Sequence, residues 1–269
     1  MNSNFDHSRL TFVAIQSALQ AGEILKKGFG TQFEILLKPG FQNLVTEYDR
    51  TSEQCIIANI LKHFPDHAFL AEESGASANR QAPVLWIIDP LDGTVNFAHN
   101  IPIFTVSIAA VVEHKIVSGV IYQPITGELF MSEAGRGAYL NGVKLQVSTN
   151  KDLTKTLMST GFPYNVAQNP RKCVDFFASM IKLGYPIRRL GSAALDMAYV
   201  AAGRFDVYWE VELNPWDTAA GHLLIEEAGG KVTEYDGSAR DIFSKGGVLA
   251  TNGLFHPEMM TRLTQFSKV

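Results

Sequence analysis

The run Trp86-Ile-Ile-Asp89-Pro90-Leu91-Asp92-Gly93-Thr94 constrains this chain more than any other segment. The apolar stretch Val84–Ile88 is the length of a buried strand and stops abruptly at an acid, Asp89. Pro90 fixes the backbone, Asp92 follows three residues after Asp89, and Gly93-Thr94 opens what reads as a helix. Two carboxylates, with the Leu91 carbonyl between them, are thereby aimed at one point beside free helix amides. Oxygen ligands of this kind suit a hard dication such as Mg²⁺, and N-terminal amides suit a phosphate. Asp-Pro as a turn starter and Asp-Gly-Thr as a helix cap are the competing reading of the same residues.

Other acids repeat the arrangement. Glu72-Glu73 follows the apolar run Ala68–Ala71 at an expected strand end, and Asp217 lies in Asn214-Pro215-Trp216-Asp217 where a loop enters a helix. Taken singly, the first pair reads as surface and the second as a first-turn acid on a helix dipole. Taken together, carboxylates converging from several apolar elements repel one another unless a cation lies among them. His222, on the same helix, is expected to pack or face solvent. Gly135-Arg136-Gly137 reads as a hairpin turn rather than a phosphate loop, and Arg188-Arg189 is open between a partner contact and a phosphate contact.

With 269 residues, 46% of them hydrophobic, the chain can bury one large core or two coupled ones. A net charge of −4 argues against a purely electrostatic nucleic-acid binder. Cys55 and Cys173 alone make neither a disulfide scaffold nor a cysteine zinc site, and fit a reducing compartment. The N-terminus lacks a signal-peptide apolar core, and no run nears the ~18 apolar residues of a membrane helix. A soluble, cytoplasmic protein is expected, without a membrane partner.

Helical spacing of Leu10, Val13, Ala14, Ser17, Ala18, Ala21, Ile24 and Leu25 predicts a first helix ended by Gly28. A second runs from about Glu47 to Phe64, with Leu37–Gly40 a loop before it. Strands at His67–Ala71, Val84–Ile88, Phe104–Val112, Lys115–Tyr122, Glu128–Ser132 and Ala138–Leu140 predict an antiparallel sheet under those helices. Beyond Lys151 the expected order is strand Thr156–Thr160, helices near Arg171–Leu183 and Ser192–Ala202, and strand Asp206–Glu210. Helix Pro215–Ala228, strands Lys231–Tyr235 and Gly247–Thr251, and a helix from His256 complete it. One catalytic unit over 1–269 is expected, with an α+β half at 1–145 bearing the metal site and an α/β half at 146–269 bearing the specificity elements.

Segments in the same order along the chain resemble the inositol monophosphatase family. Trp86–Phe97 is similar to its first signature. Trp216–Gly221 with Glu226–Gly230 is similar to its second, and Ala71–Gly75 to its metal-ligand glutamate segment. Gly191–Ala194 and Glu210 resemble its substrate-binding elements. Thr160–Pro163 and Arg189–Gly203 resemble bacterial members in particular.

That resemblance implies a layered αβαβα sandwich of the inositol monophosphatase and fructose-1,6-bisphosphatase type, and Mg²⁺-dependent hydrolysis of a small phosphomonoester by metal-activated water. It implies two to three ions. Glu72, Asp89 and the Leu91 carbonyl would hold one, and Asp89, Asp92 and Asp217 a second. A weaker third would involve Glu72. The amides of Gly93 and Thr94 would hold phosphate, and Glu72 and Thr94 would orient the attacking water, with Asp49 bonded to the Thr94 hydroxyl. Asp92, Gly191, Ser192, Ala193 and Glu210 would meet the substrate hydroxyls, with Leu91 and Asp217 also at the substrate. Lys38 matches a family lysine on a loop near the metals. myo-Inositol 1-phosphate is the expected substrate. Fructose 1,6-bisphosphate, histidinol phosphate, 3′-phosphoadenosine 5′-phosphate, or a role binding the transcription machinery, are the alternatives. Lithium sensitivity and a homodimer are implied too.

Overall fold

A computed structural model describes residues 6–37, 44–79 and 81–267. Helix α1 (His7–Gly28) opens where the Asp6 carboxylate accepts the Arg9 N–H, and its buried stripe runs from Leu10 to Leu25 as the spacing predicts. A short hairpin, β1 (Ile35–Leu37) with β2 (Leu44–Thr46), precedes α2 (Glu47–His63). Of the loop expected at Leu37–Gly40, Leu37 instead ends β1, paired with Leu44, and Lys38, Pro39 and Gly40 lie outside the described residues. Thr46 and Asp49 form a reciprocal capping box at the start of α2.

The large sheet contains β3 (Ala68–Ala71), β4 (Gly75–Ala76), β5 (Leu85–Asp92), β6 (Thr105–Val112), β7 (Lys115–Gln123), β8 (Glu128–Glu133), β9 (Gly137–Leu140) and β10 (Val143–Lys144). Its spatial order is β10-β9-β8-β7-β6-β5-β3-β4. From β5 to β10 it is antiparallel, as expected, but β3 pairs with β5 in parallel. That parallel pair brings the C-terminal ends of both strands, and so Glu72 and Asp89, to one edge. Short helix α3 (Thr94–Ala98) follows β5, its Phe97 ring packed among Phe29, Phe33, Tyr48 and Phe104.

After that come β11 (Met158–Thr160), α4 (Cys173–Lys182), β12 (Ile187–Arg188), α5 (Ala193–Ala201), β13 (Val207–Leu213), α6 (Pro215–Glu227), β14 (Lys231–Thr233), β15 (Gly246–Thr251) and α7 (His256–Ser267). The second sheet is mixed, in the order β12-β11-β13-β15-β14, with β13 at its centre.

Three apolar clusters define five layers. Trp86, Ile88, Val106, Ile108 and Val120 face α1 and α2. Ile87, Ala109, Ile121 and Phe130 face the opposite way, onto Leu195, Ala198, Ala220 and Leu224 of α5 and α6, which also cover Tyr208, Val248 and Ala250 of the second sheet. The far side of that sheet packs Trp209, Val211 and Leu249 against Phe176 of α4 and Met259 and Leu263 of α7. The result is the αβαβα sandwich. Each large side chain buried in these layers contributes about 1.5–3 kcal/mol.

Candidate active site

Strand β5 does not end at Ile88. It runs to Asp92 through a bulge: Asp89 faces Ser107 and Asp92 faces Thr105, so three steps on β5 oppose two on β6. Pro90, which has no N–H to give a ladder, sits inside that bulge. An Asp-Pro pair reads as a stop from sequence, whereas here the pair deforms the strand without ending it. Gly93 then turns the chain with φ +98, and a Cβ there would lie 2.9 Å from the Ile103 carbonyl oxygen and 3.3 Å from that of Gly191. Only glycine fits.

Backbone N–H groups hold three of the acids, two of them locally and Asp92 from α5. Asp89 is buried, and its Oδ1 accepts the Leu91 N–H at 3.0 Å. Asp217 caps α6, with Oδ2 accepting the Asn214 N–H at 2.6 Å. Asp92 reaches across to α5, where Oδ2 accepts the Ser192 hydroxyl at 2.6 Å and the Ala194 N–H at 2.8 Å. The Glu72 N–H donates to the Ile88 carbonyl at 3.2 Å, which extends the β3–β5 ladder by one rung. Burial, and next the neighbouring Glu72, Asp92 and Asp217, pushes the Asp89 carboxyl well above its usual range. Burial, then Asp92 and Glu72, does the same to Asp217. Such crowding of like charge is relieved by a cation.

The donor set fits a hard dication by chemistry, since every group is an oxygen. Hydrogen bonds engage Asp89 Oδ1 and Asp217 Oδ2, leaving the other oxygen of each unbonded among the described residues. Among those residues, no three His, Cys, Asp or Glu side chains are yet drawn into a ligand shell.

Behind this cluster, Thr94 Oγ1 lies 3.0 Å from both Asp49 Oδ1 and the Leu91 carbonyl oxygen, and its one proton can go to only one of them. Asp49 is fully buried and also accepts the Thr46 N–H and hydroxyl at 2.7 and 2.6 Å. Burial raises its carboxyl to about 6 against those bonds.

On the opposite wall, Glu210 departs from expectation. It does not close its strand; β13 continues to Leu213, and Glu210 sits in register with Val248 of β15, 9% exposed. The carboxylate accepts the Tyr208 hydroxyl at 2.7 Å, and burial raises it to about 7. Gly161 is the floor beneath it, because a Cβ there would come within 2.0 Å of Glu210 Oε2. Asp196 of α5 shares this wall, fully buried.

One cavity of about 1320 Å³ is lined by Glu72, Asp89, Leu91, Asp92, Gly93, Thr94, Gly191, Ser192, Ala193, Glu210 and Asp217. Of the expected catalytic, metal and substrate residues that the structure describes, Asp49 alone stands behind it, joined through Thr94. Arg189 also lines it, with its guanidinium over the Phe162 ring at 5.9 Å, while Arg188 is exposed. His222 packs near Glu226, 3.3 Å away, and Gly135-Arg136-Gly137 is the β8–β9 turn.

Sequence reasoning passed over two residues of α2. The Ser52 hydroxyl donates to the Pro90 carbonyl at 2.9 Å, and the Glu53 carboxylate accepts the Glu73 and Ser74 N–H groups at 2.8 and 2.9 Å. Their spacing of three and four residues from Asp49 was the available signal.

The αβαβα layers and the acid-lined cavity define a small-molecule phosphatase. The chain belongs to the inositol monophosphatase family, whose model matches residues 6–268. It is 43% identical over 251 residues to a Synechocystis protein named inositol-1-monophosphatase, covering 93% of this chain and 87% of that one. With the Nus factor SuhB of Escherichia coli K12 it shares 40% over 241 residues, covering 89% and 90%. A crystal structure of the extragenic suppressor protein suhB from Bartonella henselae superposes with a TM-score of 0.88 at 39% identity, covering 96% of this chain and 99% of that one.

Proposed function

We propose that the chain hydrolyses a small phosphomonoester, myo-inositol 1-phosphate in the first place, with Mg²⁺ as its metal. The observation that carries this is geometric: Glu72, Asp89, Asp92 and Asp217 line one cavity beside the Gly93-Thr94 turn. Glu72, Asp89 and the Leu91 carbonyl would hold one ion, Asp89, Asp92 and Asp217 a second, and Glu72 a weaker third. When bound, such ions neutralise phosphoryl charge and lower the pKa of water.

The chain's own groups do the rest. The Gly93 and Thr94 amides hold the phosphoryl oxygens. With the Thr94 hydroxyl donating to Asp49, Thr94 Oγ1 accepts a hydrogen bond from the attacking water, while Glu72 orients that water from the other side and takes a proton from it, which passes on to the departing alkoxide. The water oxygen forms the new P–O bond and the ester P–O bond breaks. One water proton ends on the alcohol, and the other stays with phosphate. Asp92, Ser192, the Gly191 and Ala193 backbone and Glu210 receive the ring hydroxyls. The Tyr208 hydroxyl holds the Glu210 carboxylate in place for them.

Phosphate release is measured on myo-inositol 1-phosphate, fructose 1,6-bisphosphate, histidinol phosphate and 3′-phosphoadenosine 5′-phosphate, with Mg²⁺ and after EDTA. The first substrate should lead and EDTA should abolish all release. Undiminished turnover in metal-free buffer overturns the reading. Millimolar Li⁺ inhibits, and a homodimer in the cytoplasm is the expected form. Among the described residues no helix is long and apolar enough to cross a membrane.

Relatives named Nus factor favour a second reading, in which the same chain also binds the transcription machinery. Co-purification with RNA polymerase by the Asp89→Asn variant would separate that role from hydrolysis.

A further inference from the structure

We infer that one face of α2 positions the cation site: Ser52 and Glu53 set the spacing between Glu72 on one strand and Asp89 on the next. The inference rests on the reading above, in which those two acids hold an ion together.

The sheet alone does not fix that spacing. Glu72 lies one residue beyond β3, where its N–H makes the last rung to β5; past Ile88, β5 has no β3 partner, and past Asp89 its register on β6 breaks. Glu72 thus stands just past its ladder, and Asp89 holds the last regular pair on β6 before the bulge. Helix α2 packs behind that edge and presents Asp49, Ser52, Glu53 and Ile56 inward, all buried. Three of the four are polar, an expensive choice for a packing face. Each polar group takes a different loop of the site. Asp49 takes the Thr94 hydroxyl, Ser52 the Pro90 carbonyl within the bulge, and Glu53 the two consecutive amides that follow Glu72.

The Glu53 bonds are the most telling. One carboxylate oxygen goes to each amide, so the turn after Glu72 is held at two points and cannot swing about either. Ser52, one residue earlier on the same helix, holds the loop of the opposing ligand. A single rigid turn of helix therefore grips both ligand loops. Outer-shell partners of this kind typically change metal affinity about 10–100-fold when removed.

Mn²⁺ binding to the full chain, stripped with EDTA, is read from the free-ion signal in electron paramagnetic resonance. Wild type, Ser52→Ala and Glu53→Gln are compared well below their melting temperatures, which are recorded separately in EDTA. Each variant is expected to weaken Mn²⁺ about 10-fold or more. A role in stability alone would lower the melting temperature and leave the Mn²⁺ Kd of the folded protein unchanged. Wild-type Kd in the variants, whatever their melting temperatures, overturns the inference. Should Glu53→Gln fail to fold, Ser52→Ala decides by itself, since it removes one hydroxyl and no charge. A wild-type chain that binds no Mn²⁺ removes the cation reading, and this inference with it; binding that is unmoved in the variants removes the inference alone.

Discussion

The two walls of the cavity carry the same chemical group in opposite settings. On the wall built by the eight-stranded sheet and α6, Glu72, Asp89, Asp92 and Asp217 sit at a strand end, in a bulge and in a helix's first turn, where backbone amides are available to carboxylates. On the other wall, Glu210 sits inside the central strand of the five-stranded sheet, its backbone committed to β15, and the Tyr208 hydroxyl serves its side chain. Regular ladders use up their amides and irregular backbone does not. A site for charge therefore wants broken secondary structure, whereas a site for selection can use the regular kind. Asp89 has a raised carboxyl through burial and three neighbouring acids, and Glu210 chiefly through burial.

The hardest test of that division is Asp89→Asn. Losing a charge that would serve two ions should cost several kcal/mol of transition-state stabilisation, about a thousand-fold or more in kcat/KM on every phosphomonoester, aryl or polyol. The fold should persist, read by circular dichroism. Loss on polyol phosphates alone would break the comparison.

Glu210→Gln tests the opposite wall. Weakening hydrogen bonds to ring hydroxyls should cost about 1.5–3 kcal/mol, roughly ten- to a hundred-fold in kcat/KM on inositol phosphate. p-Nitrophenyl phosphate, which has no such hydroxyls, should be hydrolysed nearly as before. Equal losses on both would move Glu210 to the metal side.

Gly161→Ala sharpens the same point without touching an acid. Its Cβ would occupy the place of the Glu210 carboxylate, so selection for inositol phosphate should fall about as far as in Glu210→Gln, with about 1–3 kcal/mol of stability lost to overpacking. Unchanged selectivity in steady-state assays would show that Glu210 moves freely.

The smallest effect is on stability and runs the other way. Glu210 has its carboxyl raised from 4.5 to about 7, so the folded state holds its proton more tightly than the unfolded chain. Its contribution is fully present below about pH 4.5 and lost as pH rises through about 7, at most about 3 kcal/mol. Glu210→Gln escapes that loss. Melts in EDTA should show the variant more stable than wild type at pH 8, with the gap closing toward pH 4.5. A gap independent of pH would assign it to packing.

The same division explains what was legible in the sequence. The α1 stripe, the β6–β8 alternation and the acids after apolar runs are local signals, and the layers follow from them. The bulge was not legible, because Asp89-Pro90 has the composition of a turn and only β6, pairing across it, keeps the strand going. Glu210 was expected at a strand end for a similar reason. A carboxylate inside a central strand contradicts polarity patterning, and its tolerance depends on Tyr208 two residues before it and on glycine at 161, far from both in sequence. The parallel β3–β5 pair and the inward face of α2 depend on tertiary contacts of that kind as well.

Gly119 on β7, where a Cβ would lie 2.8 Å from the Ala220 carbonyl oxygen, shows how closely α6 seats on the first sheet. The chain delivers that helix late. During synthesis Glu72, Asp89 and Asp92 emerge together with the strands that carry them, and β6 to β10 can follow as successive hairpins, a topology that favours rapid pairing. Asp217 arrives more than a hundred residues afterwards, on a helix that gains apolar contact by docking and brings a further negative charge to an edge already bearing three. Docking of α6 is thus the step at which attraction and repulsion meet. A cation at that edge would lower the repulsion against which the apolar docking of α6 has to work.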